Sequence, residues 1–477
     1  MAAVRPLEGL PNTDNPEEIR AHDHREQTER PDHCRGAVDD DVGHHRRLGS
    51  IVNALRLFAL WAAAVVFPLP MMLVYDGIAT EPVVLKQLVL FGLIAYSWWL
   101  LAILLSLRPR WLDRAVGLPA VYRLHGVLGL GSLVLAYIHH QNSYTSHGLA
   151  EILGDWGLYL SIATLCLAVF FLTGWLVDRS RSLLRARRFL ERVVLRRQLS
   201  IWLHRLNIVV VVLIWLHVHV LPRMTQYPEF MILFDFYTVA VLSLYVWKKW
   251  IAPDTAIRGT VVRNEGRGAS TRRVAIELDE TNASIRPGDF FFLRLDGAGV
   301  VGPEPHPFSA TDDDQATVTF TIRQHGDYTN RLGDVAEGAR ARLEGPFGRF
   351  DAVVHRHGPD TPLVLLGMGA GIAPLLSLAA AHHSSRTIRL LWSVHTAEDL
   401  YYREVLKDYE EASAGKMQVT TSVGRFKRGD FERELTDEAL RTGVFFIVGS
   451  SPAVLANQRL LHSMGVARRR IHQERLM

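Results

Sequence analysis

The sequence predicts three parts in series: an all-α bundle of six membrane-crossing helices, a small antiparallel β-barrel, and an α/β domain built on a parallel sheet. Three observations predict it. Six apolar runs of about 20 residues, the length that crosses ~30 Å of hydrocarbon, fill residues 51–250. From about 255 to 355 the pattern changes to short alternating strands between turn signals. From about 361 it changes again, to strand, glycine-rich turn and helix. The 477 residues suit several domains, here 1–50, 51–250, 255–355 and 360–477. Hydrophobic residues make up 48% of the chain and are segregated, which disfavours both a purely soluble protein and a pure transporter.

The six runs cover roughly 54–75, 83–107, 120–140, 156–177, 201–221 and 230–250. About 50 polar residues precede the first, so it does not read as a cleaved signal. Basic residues orient the bundle. Arg108, Arg110, Arg114 and Arg123 lie between the second and third runs, and residues 178–199 carry eight Arg against one Asp and one Glu. The opposite loops hold only Arg223, while Lys248 and Lys249 follow the sixth run. This bias predicts a multi-pass protein of the inner (plasma) membrane with both termini cytoplasmic. The basic segment sits between apolar runs rather than over a folded face, which argues for a membrane flank and against a nucleic-acid partner. Cys34 and Cys166 are the only cysteines, which excludes a disulfide framework and a four-cysteine metal site. Residues 1–50 are rich in charge, His and Pro and read as a disordered cytoplasmic tail. Their His22, His24, His33, His44 and His45 can bind a metal, but a solvated tail is the preferred reading.

Histidines single out two of the runs. The third holds His125, His139 and His140, the fifth holds His204, His217 and His219, and the other four hold none. An ionisable side chain in hydrocarbon points to function. His125 to His139 spans 14 residues, about 21 Å of rise, and His204 to His217 spans 13, about 19.5 Å. Two helices with imidazoles at that separation can clamp two stacked haems, each iron taking one axial nitrogen from each helix. Bonds to carbonyls or a proton path are the plainer alternative. At ~100° per residue His125 and His139 share a face, whereas His217 needs a bend or a π-bulge to share one with His204. His219 lies nearer to that face, and helix geometry alone slightly favours it.

The two runs, YRLHGVLGLGSLVLAYIHH and LHRLNIVVVVLIWLHVH, resemble the haem helices of the ferric reductase and NADPH oxidase superfamily. The resemblance covers roughly 50–477. It implies His125 with His204 on an inner b-type haem and His139 with His217 on an outer one. His140 and His219 are then candidates for the acceptor site, or interfacial histidines. Arg123 and Arg205 adjoin the inner ligands and suit haem propionates or positive-inside anchors equally.

In the alternating region, Val318, Phe320 and Ile322 of TVTFTIR share a face against Thr317, Thr319 and Thr321. RPGD at 286–289 is a turn signal, and a small barrel is the expected closure. The same region contains His306-Pro307-Phe308-Ser309, then Arg323, then Gly326-Asp327-Tyr328-Thr329, then Gly345-Pro346-Phe347-Gly348. In that order these motifs resemble the flavin-binding domain of the ferredoxin–NADP reductase superfamily. The resemblance implies FAD, with His306, Pro307, Phe308 and Ser309 along the isoalloxazine and the Ser309 hydroxyl near its N5. It places Arg323 and Thr329 on the pyrophosphate, with Gly326, Tyr328, Gly345 and Gly348 in the same cofactor-binding set.

Further on, TPLVLLGMGAGIAPLLSLAAAHH reads strand, turn, helix. Gly367, Gly369 and Gly371 let the backbone approach a phosphate, and the helix after them offers free N–H groups. The loop, ending at Pro374, is similar to the G-x-G-x-G-x-x-P pyridine-nucleotide loop of the same superfamily. Strands at 387–394, 417–422 and 444–448 alternate with helices, the pattern of a parallel dinucleotide-binding sheet. Arg425, Lys427 and Arg428 suit a ribose 2′-phosphate and favour NADPH over NADH, or else form a solvated loop. Two features depart from the family pattern. Gly449-Ser450-Ser451-Pro452 stands where Cys-Gly-Pro is usual, and the chain reads Glu474-Arg475-Leu476-Met477 where many members end near an aromatic that covers the flavin.

The expected fold is therefore a membrane all-α six-helix haem domain, an antiparallel β-barrel FAD domain and an α/β parallel-sheet NAD(P)-binding domain. The resemblance implies a transmembrane oxidoreductase of NAD(P)H oxidase or ferric reductase type. NADPH delivers a hydride to FAD, and electrons pass singly through two haems to an acceptor beyond the bilayer, either dioxygen or a ferric chelate. The outer segment QNSYTSHGLAEILGD reads as a loop offering His147, Glu151 and Asp155 to metal ions. Two other classes stay open: an electron donor to a periplasmic protein acceptor, and a haem-free membrane-anchored flavin reductase.

Overall fold

A computed structural model describes residue 52 and residues 54–476 apart from 145–146, 173–196, 252–255, 268–269, 281–283, 297–304 and 314–315. The N-terminal tail and most of the arginine-rich segment 178–199 lie outside the described residues. Six helices are long and apolar enough to cross a membrane: Ala54–Ile78, Val83–Ser106, Leu118–Asn142, Gly148–Phe171, Ile201–His219 and Pro228–Ile251. They are called the first to sixth spans below.

The fourth span starts well before residue 156, where its apolar run begins. Glu151 sits in its first turn, where the helix dipole favours an acid. Asp155, one turn on, accepts a 2.6 Å bond from His140 Nε2. The charges that read as a loop therefore belong to the opening turns of a helix.

The second span is the centre of the bundle. Its most apolar stretch is 61% buried, against 17–33% for the other five. Tyr96 on it bonds Thr238 of the sixth span at 2.8 Å, and Trp98 Nε1 donates to the Ala64 carbonyl of the first, also at 2.8 Å. The neighbouring spans expose large apolar side chains, among them Phe58, Val65, Leu130, Ile152 and Phe236. The fifth span is broken at Leu206, between helices Arg197–Arg205 and Asn207–His219. There Asn207 Nδ2 donates to the His204 carbonyl at 2.7 Å and Thr164 Oγ1 donates to Asn207 Oδ1 at 3.1 Å. The interruption lies between His204 and His217, where 13-residue spacing calls for a departure from regular helix if the two are to face one way.

A short helix, Arg110–Val116, joins the second and third spans, and Gly117 ends it at φ +86°, a conformation that favours glycine. After the sixth span come six strands: β1 Ile257–Arg267, β2 Thr271–Leu278, β3 Phe290–Asp296, β4 His306–Asp313, β5 Thr317–Arg323 and β6 Arg340–Phe347. They close an antiparallel barrel in the order β1-β2-β5-β4-β3-β6. Val318, Phe320 and Ile322 point into its core as the alternation predicts. The Thr face of β5 is covered too: Thr319 and Thr321 are buried, and Thr321 bonds Tyr402 of the next domain.

The last part is a five-stranded parallel sheet of β7 Leu363–Met368, β8 Ile388–Val394, β9 Met417–Val423, β10 Val444–Ser450 and β11 Ile471–Leu476, ordered β11-β10-β7-β8-β9. LVLLG and VFFIVG are buried throughout, as strands covered on both faces require. β11 was not expected. RIHQERL is polar because it lies at a sheet edge, where the apolar-run criterion fails.

Candidate functional site

The third and fifth spans bring the four histidines together in two pairs. The His125 and His204 rings lie 5.9 Å apart between centroids, and His139 and His217 stand near the other ends of the same two helices. Three of the four place Nδ1 on a backbone carbonyl of a different span. His125 meets Ala102 at 3.0 Å, His139 meets Leu88 at 2.7 Å, and His217 meets Ala150 at 2.7 Å. A carbonyl can only accept, so Nδ1 carries the proton and Nε2 keeps its lone pair. That is how metal-ligating imidazoles are usually set, and this donor set fits two axial positions on each of two haem irons. His219 differs. Its Nδ1 meets the Trp215 carbonyl at 2.9 Å, and its Nε2 lies 3.2 Å from Asp235 Oδ1. Both nitrogens are engaged, as helical spacing alone does not reveal.

Two glycines that the motif reading passed over make room for the His139 and His217 rings. A Cβ on Gly92 would lie 3.2 Å from His139 Nδ1, and one on Gly154 would lie 3.3 Å from His217 Nδ1. Glycine within an apolar run was the only available signal, and it does not say what approaches. His140 is bound to Asp155, and Glu151 lies in the first turn of the fourth span, next to the Ala150 carbonyl that meets His217.

In the barrel, β4 begins with His306-Pro307-Phe308-Ser309 and pairs with β3 so that Ser309 faces Phe290. The His306 and Tyr328 rings lie 4.1 Å apart, and Tyr328 stacks on Phe308 at 6.3 Å. Gly326, at φ +116°, starts the turn Asp327–Asn330. Thr329 Oγ1 accepts from the His325 amide at 2.7 Å. Ser309 Oγ donates to Glu474 Oε1 at 3.2 Å, so β11 supplies a carboxyl to the strand that carries the motif. Burial pushes Glu474 up to about 7, against the pull of the Ser309 hydroxyl. Gly345 and Gly348 have φ of +154° and +134°, and a Cβ on Gly348 would meet Asp289 Oδ1 at 2.9 Å.

The glycine loop divides its tasks. Gly369 has φ +58°, and Arg323 NH1 lies 3.7 Å from where its Cβ would stand. Arg323 from β5 and Gly369 after β7 thus line one small cleft together with Thr271, Ala370, His395 and Tyr401. Gly371 answers to packing instead, because a Cβ there would sit 2.2 Å from the Val448 carbonyl of β10. Gly367 is less constrained, with the Ile372 backbone 3.3 Å from where its Cβ would stand. Pro374 lies in the first turn of the helix Ala373–His382, a position suited to a residue without an N–H. After β9, Arg425 is exposed, whereas Arg428 is held by Glu432 at 2.7 Å and the Lys427 amide is capped by Asp430 at 2.7 Å.

Comparison with known proteins bears on this half. The family described as "Oxidoreductase NAD-binding domain" matches residues 365–445. The chain is 28% identical over 170 residues to the dihydroorotate dehydrogenase B (NAD(+)) electron transfer subunit of Caldanaerobacter subterraneus subsp. tengcongensis, covering 33% of this chain and 65% of that protein. It is 25% identical over 170 residues to the flavohemoprotein of Bacillus subtilis, covering 32% and 42% respectively. The chain thus spans just under two thirds of the first relative and under half of the second. Among solved structures, the flavohaem-like FAD/NAD-binding domain of nitric oxide dioxygenase from Vibrio cholerae aligns at 16% identity and a TM-score of 0.41, over 46% of this chain and 98% of that one. Residues 365–445 thus match an oxidoreductase NAD-binding domain, carried on a chain whose described residues also include six long apolar helices.

Proposed function

We propose that the chain is a transmembrane flavocytochrome b of the ferric reductase and NADPH oxidase type, moving electrons from cytoplasmic NADPH through FAD and two b-type haems to dioxygen or a ferric chelate across the membrane. The observation that carries this reading is the histidine geometry: Nδ1 of His125, His139 and His217 is tied to carbonyls, with Nε2 left as the donor. His125 and His204 would hold the inner haem, and His139 and His217 the outer one. His217 is preferred to His219 because Asp235 and the Trp215 carbonyl already occupy the latter. The HPFS strand, Arg323 and the Gly326–Thr329 turn would hold FAD, while Gly369, the helix from Ala373 and Arg425 would hold the nucleotide. When bound, the flavin turns a hydride pair into single electrons and the haems carry them through the hydrocarbon. The protein's own part is positional. It fixes imidazole tautomers and sets the Ser309 hydroxyl and the Glu474 carboxyl where a proton can be held beside the flavin strand. Both termini face the cytoplasm in this reading, as the arginine bias of the loops argues.

The test is a dithionite-reduced absorption spectrum of the purified chain with haem and flavin quantified. Two b-type haems per FAD are expected. A chain with flavin and no Soret band would leave only an anchored flavin reductase. Superoxide and ferrous iron formation under air and under argon then separate the acceptors. NADPH consumption that stops under argon with ferric chelate present rules out the metal-reducing version.

A further inference from the structure

Arg108 and Arg114 read as positive-inside anchors, yet both are spent on the barrel. Arg114 makes a two-pronged pair with Asp289, at 2.8 Å on each oxygen, and also donates to the Gly348 carbonyl at 2.9 Å. Arg108 bonds Glu344 at 2.7 Å and lies 3.9 Å over the Phe292 ring. Asp113 joins two parts of the chain with one carboxylate. Its Oδ1 accepts from the Leu118 amide at 2.8 Å, at the start of the third span, and its Oδ2 accepts from the Gly348 amide at 3.0 Å. Asp113 and Asp289 are each only 1% exposed.

A buried ion pair is a weak stability device, and its best-attested use is to fix a single arrangement of parts. The parts fixed here are specific. Asp289 precedes Phe290, the register partner of Ser309 in the HPFS strand. Leu118 opens the span that carries His125 seven residues later, about 10 Å along the helix. We propose that Asp113 and Arg114 are positioning residues that lock the flavin-binding barrel onto the cytoplasmic end of the inner-haem helix and so set the gap an electron must cross. The proposal rests on the function proposed above and adds to it the contact that makes two separately folded parts one conductor. The clamp is built from a rigid guanidinium fork, two backbone amides and a glycine whose missing side chain lets Asp289 approach.

The test uses the full chain, loaded with haem and flavin in lipid nanodiscs, as wild type, Asp113→Ala, Arg114→Ala and Arg114→Lys. Amide hydrogen exchange is read at Leu118 and Gly348, and stopped-flow absorbance follows flavin and then haem reduction by NADPH, with dithionite giving total haem. In the Ala variants the Gly348 amide should exchange faster and flavin reduction should be unchanged. Haem reduction should slow about tenfold or more, as small misplacements do to reacting pairs. Arg114→Lys, which keeps the charge and loses the fork, should fall between. Haem reduction at the wild-type rate in both Ala variants, or an equally protected Gly348, overturns the proposal while leaving the relay intact. Loss of haem or flavin from all three variants assigns the residues to folding and also overturns it. A wild-type chain without a Soret band sinks the relay instead, and the exchange readout then decides alone whether the clamp docks the barrel.

Discussion

In the proposed reading the third and fifth spans carry one histidine pair at an outer end and one at a cytoplasmic end, and they hold the two pairs by different means. At the outer end both rings lean on carbonyls of other spans, Leu88 and Ala150, through gaps opened by Gly92 and Gly154. At the cytoplasmic end only His125 has such a carbonyl, at 3.0 Å. His204 Nδ1 is buried without a hydrogen bond among the described residues, and Asn207 braces its backbone at the helix break instead. The outer pair is thus framed by neighbouring helices and should respond to side-chain volume. The inner pair lies on the span whose first amide, Leu118, is held by Asp113, and under the proposed clamp it should respond to changes on the barrel.

The comparison breaks first at the ligands themselves. His139→Ala and His217→Ala should each remove the outer haem and His125→Ala the inner one, lowering the Soret absorbance per flavin by about half in every case. Loss of both haems from an outer replacement would mean that the two levels are not independent. A smaller effect is expected from volume. Gly92→Ala or Gly154→Ala pushes a methyl against the imidazole and should weaken outer-haem retention about tenfold, as loss of supporting contacts around a metal site does. Haem titration of the apoprotein would read this.

Next comes the cytoplasmic end. Glu474 is pushed up to about 7 from its ordinary 4.5 by burial, so the folded chain binds that proton more tightly than the unfolded one. Its contribution to stability is then full below pH 4.5 and is lost as pH rises to about 7, a change of at most a few kcal/mol. Glu474→Gln should therefore raise the thermal midpoint at pH 8 relative to wild type and leave it nearly unchanged at pH 5. A larger gain at pH 5 than at pH 8 would reverse the assigned direction. The smallest effect is expected at His219. His219→Gln should keep both haems, and loss of half the Soret band would transfer the outer ligand from His217 to His219.

Much of this architecture is legible in the residues because each part has its own period. Apolar runs of about 20 residues mark the spans, and Val318, Phe320 and Ile322 mark a strand. HPFS, Arg323 and the glycine loop mark positions that the fold then gathers, with Arg323 and Gly369 in one cleft and Ser309 beside Glu474. What stayed hidden depends on partners far away in the chain. An arginine in a cytoplasmic loop looks the same whether it meets lipid headgroups or, like Arg114, a buried aspartate 175 residues on. Gly371 reads as a phosphate contact and is needed for packing on β10. Asp155 reads as a loop ligand for metal ions and lies on a helix, bonded to His140. In each case the residue type was informative and its neighbour was not written locally.

The enclosure of the second span has a consequence for how the bundle tolerates change. Protein encloses 61% of its most apolar stretch, so a library randomised there should reject residues by size and shape and treat Leu, Ile and Met as unequal. On the more exposed first and fourth spans the same library should accept most apolar residues and reject charge alone. Deep mutational tolerance would then trace the packing of the bundle helix by helix, with the least forgiving element being one that carries none of the four paired histidines.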